Sequence, residues 1–240
     1  MTDEPLLYVY AVVRSADAQG PPTDPPPDVT LGGGLTTVEH RGLTAVVEPV
    51  PAADFAEAPL RERLEDLDWL AVVARAHYAV VGATSRRTTT VPLRLATVRR
   101  GESGVRRFLE EGESGLSEAL GRLTGMHEWG VELYADEAPG GPAAGGADDT
   151  AARAARELHE TLARAATEAV LRAPRRAHPA GEPGRNVLSA VYLVPDEGRR
   201  DFLDVLPGAD DVRPGLRVEI TGPRAPHSFA RVGPDEDLEW

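Results

Sequence analysis

The stretch from Pro59 to Val98, PLRERLEDLDWLAVVARAHYAVVGATSRRTTTVPLRLATV, constrains the fold most, because its two halves carry different structural signals. Leu60, Leu64, Leu67, Ala71, Ala74, Tyr78 and Val81 step by fours and threes, which keeps them on one face of an α-helix. Pro59 suits the first helical position, where no backbone N–H is required. Glu62, Glu65, Asp66 and Asp68 crowd the N-terminal half, while Arg75, Arg86 and Arg87 lie toward or past the other end. The helix dipole favours that polarity. A second apolar stripe, Trp69, Val73, Ala76 and Val80, begins further along. The spacing therefore predicts one long core helix, one-sided at its start and covered on two sides at its end. Gly82 can end it. Thr88-Thr89-Thr90-Val91 then restarts the chain with β-branched residues, and the sequence predicts a strand running into Pro92–Val98.

The chain has 240 residues, enough for one large domain or two small ones, and 41% of them are hydrophobic, enough for a core. A formal charge of −13 argues against sequence-independent binding of nucleic acid or of an anionic membrane. Every basic side chain apart from histidine is Arg, and there is no Cys, which excludes disulfides and thiolate metal sites. No basic segment precedes an apolar run at the start, and no stretch approaches the roughly 20 apolar residues that span a bilayer. A soluble, cytoplasmic protein is the expectation.

Taken in order, Leu6–Val13 (LLYVYAVV) reads as a central strand covered on both faces. Residues 15–34 are a Pro- and Gly-rich loop, whose Gly32-Gly33-Gly34 lacks the partners of a phosphate-binding turn. Leu35–Glu39 and Leu43–Glu48 make a hairpin, and Ala52–Ala58 a short helical turn. After the long helix and strand, residues 104–125 predict a helix weakened by Gly112 and Gly115, and His127–Tyr134 alternates as a half-buried strand. Ala138–Asp149 reads as a linker, Ala151–Ala173 as a second long helix ended by Pro174, and Val187–Val194 as a buried strand. A short helix at 197–206 and a last strand at 216–220 follow. This order predicts an α+β chain: an N-terminal ferredoxin-like antiparallel sheet with helices over 1–137, a linker at 138–149, a second, smaller α+β half over 150–222, and a tail from 223.

No catalytic constellation emerges. The six His residues are scattered without metal-ligand spacing, and His127 and Glu128, as strand neighbours, point to opposite faces. His77 reads first as a histidine hydrogen-bonded within the fold, with a proton-handling role as the alternative. Arg94, inside an apolar strand, would point inward and need a carboxylate such as Glu48 or Glu132. The acidic run Glu62–Asp68 is spread around its helix and reads as a solvated face. No cofactor, metal or catalytic residue is expected.

WLAVVARAHYAVV followed by TTTVPLRLATV resembles the signature of the gas vesicle F/L family, with Leu95 and Ala96 standing where that family has Phe-Gly. LLYVYAVV, GLTAVVEPV, EWGVELYAD and TGPRAPHSF are also similar to the family's pattern, although Arg224 and His227 occupy positions expected to be aromatic. The resemblance covers most of the chain. It implies the same fold and a non-enzymatic role in gas vesicle assembly, associated with the vesicle. The implied partners are the small hydrophobic shell protein and other vesicle accessory proteins, with neither nucleic acid nor membrane among them. A cleft between the two halves could hold an amphipathic helix of such a partner. Trp69, His77, Arg94, Trp129 and Phe229 are the residues offered for meeting it. A small-molecule-binding or sensor domain is the alternative.

Overall fold

A computed structural model describes residues 4–18, 30–136, 145–174, 184–206 and 215–231. The chain divides into two compact units, Met1–Thr124 with Ala225–Trp240, and Gly125–Arg224.

The first unit is built around β1 (Leu6–Arg14), whose first eight residues are all buried. That burial is what an unbroken Leu/Val/Tyr run demands. The hairpin β2 (Thr36–His40) and β3 (Leu43–Val50) lies on one side, with β3 antiparallel to β1 over Leu6↔Val50 to Arg14↔Leu43. The short helices α1 (Ala52–Phe55) and α2 (Glu57–Arg63) then lead into α3 (Leu67–Ser85). β4 (Val91–Pro92) and β5 (Val98–Arg100) both pair antiparallel with the other edge of β1, giving the strand order β2-β3-β1-β4 with β5 beside β4's end. Helices α4 (Gly101–Glu111) and α5 (Glu113–Arg122) complete the unit and break at Gly112, as their glycines predict.

The second unit opens with β6 (Met126–Ala135), followed by α6 (Gly145–Ala165), β7 (Glu168–Leu171), β8 (Arg185–Pro195), α7 (Arg199–Asp204) and β9 (Leu216–Arg224). Its sheet runs β7-β8-β6-β9 with every described pair antiparallel. The two sheets thus share one plan. The first strand in the chain is central, the next two form a pair on one side, and the last lies on the other. In the second unit both crossovers carry helices, so the succession is β-α-β-β-α-β. Trp129, Val131 and Leu133 of β6 and Leu188, Ala190, Tyr192 and Val194 of β8 pack against Ala155 and Leu162 of α6 and Phe202 of α7.

The structure corrects four sequence expectations. The long helix from Leu60 is two helices, because Asp66 takes extended backbone and accepts hydrogen bonds from the N–H groups of Asp68 and Trp69, restarting the helix at Leu67. On α3 the second stripe is the buried one. Val73, Ala76, His77, Val80 and Val81 face the core, whereas Leu67 is 77% and Tyr78 59% exposed. The long helix expected to end at Ala173 stops at Ala165, and Glu168–Leu171 joins β8 as a strand. Pairing with β8 across the sheet overrides the helical preference of Glu168, Ala169 and Leu171, as tertiary context does with intrinsic propensity. Finally, β6 belongs to the second sheet and not to the N-terminal half, while Ala225 returns to the first unit's core. The linker expected at 138–149 falls outside the described residues up to 144, and Gly145–Asp149 begin α6.

Candidate functional site

The segment Pro92–Val98 is where the signature stretches meet. It is not one strand. β4 ends at Pro92 and β5 starts at Val98, and between them the chain turns with Ala96 at a φ of 62°. A Cβ is strained in that left-handed region, which is why a glycine fits there better. Ala96→Gly is therefore expected to raise stability by about 0.5–1 kcal/mol, after the extra freedom of the unfolded glycine is subtracted. Urea unfolding of the two proteins measures it, and a loss of stability would contradict the turn's geometry.

Two buried side chains hold this turn from beneath. The Tyr8 hydroxyl accepts from the Ala96 N–H at 3.0 Å and lies 3.0 Å from His77 Nδ1. The His77 ring also hydrogen-bonds the Leu93 backbone. His77 is 2% exposed. Burial pushes its pKa down to about 4, against a smaller upward pull from the Leu93 bond, so the ring is neutral. Burial likewise pushes the Tyr8 hydroxyl well above its usual range. This hydrogen-bonded network joins α3, β1 and the turn.

Phe229 returns from the far end of the chain and is buried, its carbonyl accepting from Arg122 Nη2 at 2.6 Å. Two residues earlier, the His227 ring packs edge-on against Tyr78 at 4.8 Å and beside His77 at 5.8 Å. His227 thus does the stacking that an aromatic residue would do at its position, and the segment docks on α3 through rings after all.

Above the turn lies a groove of about 410 Å³. Leu6, Phe55, Leu60, Leu95 and Val98 give it an apolar lining. Its charged members are Arg94, Arg99 and Arg100 against Glu57, a basic rim on a strongly acidic chain. Arg94 is exposed, not directed into a strand's core as the sequence suggested. The buried acid Glu48 serves a different purpose, accepting from Tyr10 Oη and from the N–H groups of Leu31 and Gly33. Arg99 lies over the Phe108 ring at 4.7 Å and donates to the Val98 carbonyl at 2.9 Å.

Of the residues offered for partner contact, Arg94 sits on this rim, and Trp69, half-buried, packs behind the lining with its ring 5.3 Å from Phe55. His77 supports the turn from inside. Trp129 is buried in the other unit, with Arg199 over its ring at 5.6 Å. The lining residues Leu6, Phe55 and Leu60 carried no functional signal of their own, and only the glycine expected at position 96 could have marked the turn. Among the described residues no three His, Asp or Glu side chains gather as a metal site requires, and no helix is long and apolar enough to cross a membrane.

The family model for gas vesicle synthesis protein GvpL/GvpF matches residues 6–145 and 143–231, nearly the whole chain. The chain belongs to the GvpL/GvpF family. Gas vesicle protein L of Streptomyces sp. (strain CB03234) is 43% identical to it over 270 residues, covering 99% of this chain and 97% of that protein. The crystal structure of GvpF from Anabaena sp. PCC7120 has the same fold, with a TM-score of 0.64 at 17% identity over 98% of this chain and 100% of that one. GvpF from Microcystis aeruginosa gives 0.62 at 17% identity, covering 95% and 99%. Both units and the returning segment at 225–229 thus fall within the GvpL/GvpF match, and membership places the chain in gas vesicle assembly.

Proposed function

We propose that this GvpL/GvpF protein is a non-enzymatic accessory factor that binds the small hydrophobic shell protein, and other vesicle proteins, while the vesicle wall nucleates and grows. The observation that carries the reading is the family match along nearly the whole chain. Physical chemistry supports it in two ways. A shell protein rich in apolar surface needs a carrier with somewhere to place an apolar side chain, and the groove above Pro92–Val98 is such a place. The carrier must also keep the complex in solution, and a net charge of −13 opposes self-association.

Co-expression tests this. With the chain tagged and a gas vesicle shell protein untagged, the shell protein is expected in the soluble fraction and in the tagged eluate, at low and at high salt if apolar burial holds it. A shell protein that stays wholly in the pellet, with none retained by the chain, would sink the reading.

A further inference from the structure

We propose that the outer face of α3 pairs with the same face of a second copy of this chain, the two helices antiparallel about a two-fold axis near residues 71–74. The proposal does not depend on shell-protein binding, and the two can fail separately. Leu67, Ala71, Ala74 and Tyr78 repeat as a core stripe should, yet the buried stripe of α3 is the other one. Leu67 is 77% and Tyr78 59% exposed, with Ala71 exposed and Ala74 half-buried between them.

Three properties fit this row to itself. Its spacing of four, three and four reads the same from either end. A two-fold antiparallel pair requires that, since residue i must meet j while j meets i. Its sizes run large, small, small, large. Leu67 of one copy therefore lies against Tyr78 of the other, while Ala71 and Ala74 meet at the axis and let the backbones approach. Its charge also reverses along the helix. Asp68 follows Leu67 and Arg75 follows Ala74, so the two stand on the same solvent-side flank of the row. Both are exposed, and neither has an ion-pair partner among the described residues. In the antiparallel pair Asp68 of each copy comes beside Arg75 of the other, so the attraction is made twice. Parallel helices would set Asp68 against Asp68 and Arg75 against Arg75, so the charges select the direction. Because α3 has 19 residues and is about 28 Å long, the contact is smaller than a permanent dimer needs. The pair is thus concentration-dependent, with a dissociation constant of roughly 10–100 µM.

Sedimentation equilibrium of the full-length chain, from low micromolar to a few hundred micromolar, tests the pairing. Wild type is expected to pass from monomer toward dimer across that range. Asp68→Arg and Arg75→Asp should each weaken the dimer about tenfold, because two attractive pairs become repulsive. They should do so alike although they move the net charge in opposite directions. An equimolar mixture of the two single variants should associate about as tightly as wild type, since every pair across the axis is again of unlike sign. Ala71→Arg, at an exposed position, should leave a monomer at every concentration, with far-UV circular dichroism and melting midpoint unchanged. Wild type that stays monomeric throughout overturns the proposal. So does a dimer that survives Ala71→Arg, or a mixture that associates no more tightly than its separate components. Should wild type stay monomeric while Ala71→Arg abolishes capture of co-expressed shell protein, the face belongs to the shell protein and the proposal is overturned.

Discussion

Glu48→Ala is expected to cost about 3–5 kcal/mol of stability. The carboxylate is fully buried on β3 and accepts three hydrogen bonds. Tyr10 Oη donates at 2.5 Å, the Leu31 N–H at 3.1 Å and the Gly33 N–H at 2.8 Å. Truncation leaves all three donors facing a methyl group, and each unsatisfied buried donor costs about 1–3 kcal/mol. Water can reach the two loop amides as the loop relaxes, which keeps the total below the simple sum. Tyr10 itself has no exposed surface, so its hydroxyl has no such escape. The loop has little room to shift, because Gly33 lies against Pro49 so closely that a Cβ would strike the Pro49 carbonyl oxygen. Glu48→Gln keeps one acceptor oxygen but turns an NH₂ toward a donor, and is expected to lose about 1–2 kcal/mol. Urea unfolding followed by Trp fluorescence measures both. A Glu48→Ala protein within 1 kcal/mol of wild type would mean that the carboxylate does not hold the Gly-rich loop.

The second large effect is acid destabilisation through His77. Its folded-state pKa of about 4 lies below the 6.5 of an unfolded histidine. Between those two values the unfolded chain binds a proton that the folded chain refuses, so stability rises with pH across the window. The contribution is complete above about pH 6.5 and is lost progressively as pH falls toward 4. At 1.36 kcal/mol per pK unit, moving from pH 7.5 to pH 5 should cost about 2 kcal/mol from this residue alone. Carboxylates add their own acid dependence, so the readout is a difference. Unfolding free energies of wild type and His77→Gln are measured at both pH values, and the fall for the variant should be smaller by about that amount. Equal falls for the two proteins would show that His77 accepts a proton in place, and that the Tyr8–His77–Leu93 network is not as closed as its distances indicate.

How much of this was legible in the sequence follows from how local each signal is. β1 was legible outright, since LLYVYAVV cannot be placed anywhere but a buried strand, and the hairpin beside it follows from alternation and a tight turn. The role of His77 as an internally bonded histidine was also legible from its position beside the apolar stripe. The orientation of α3 was not. Leu67, Ala71, Ala74 and Tyr78 repeat as well as Trp69, Val73, Ala76 and Val80 do, and periodicity alone does not say which stripe the sheet will take. Phe55, from the short helix before it, decides the matter by packing on Trp69. The turn at Pro92–Val98 was hidden because Ala96 carries no mark of its positive φ, whereas a glycine would have announced it. The return of Ala225–Phe229 to the first unit depends on contacts more than a hundred residues away in sequence, such as Arg122 to the Phe229 carbonyl, and no local pattern encodes those. The groove is assembled from three separate segments for the same reason.

The central claim is that this chain takes part in building gas vesicles, and its most direct test is made in cells. A host carrying a full set of gas vesicle genes is compared with the same host lacking only the gene for this chain, and intact vesicles are counted by electron microscopy. Vesicles are expected to disappear or become rare and stunted without it and to return when the wild-type chain is supplied. Vesicles of normal number and size in its absence would contradict the account.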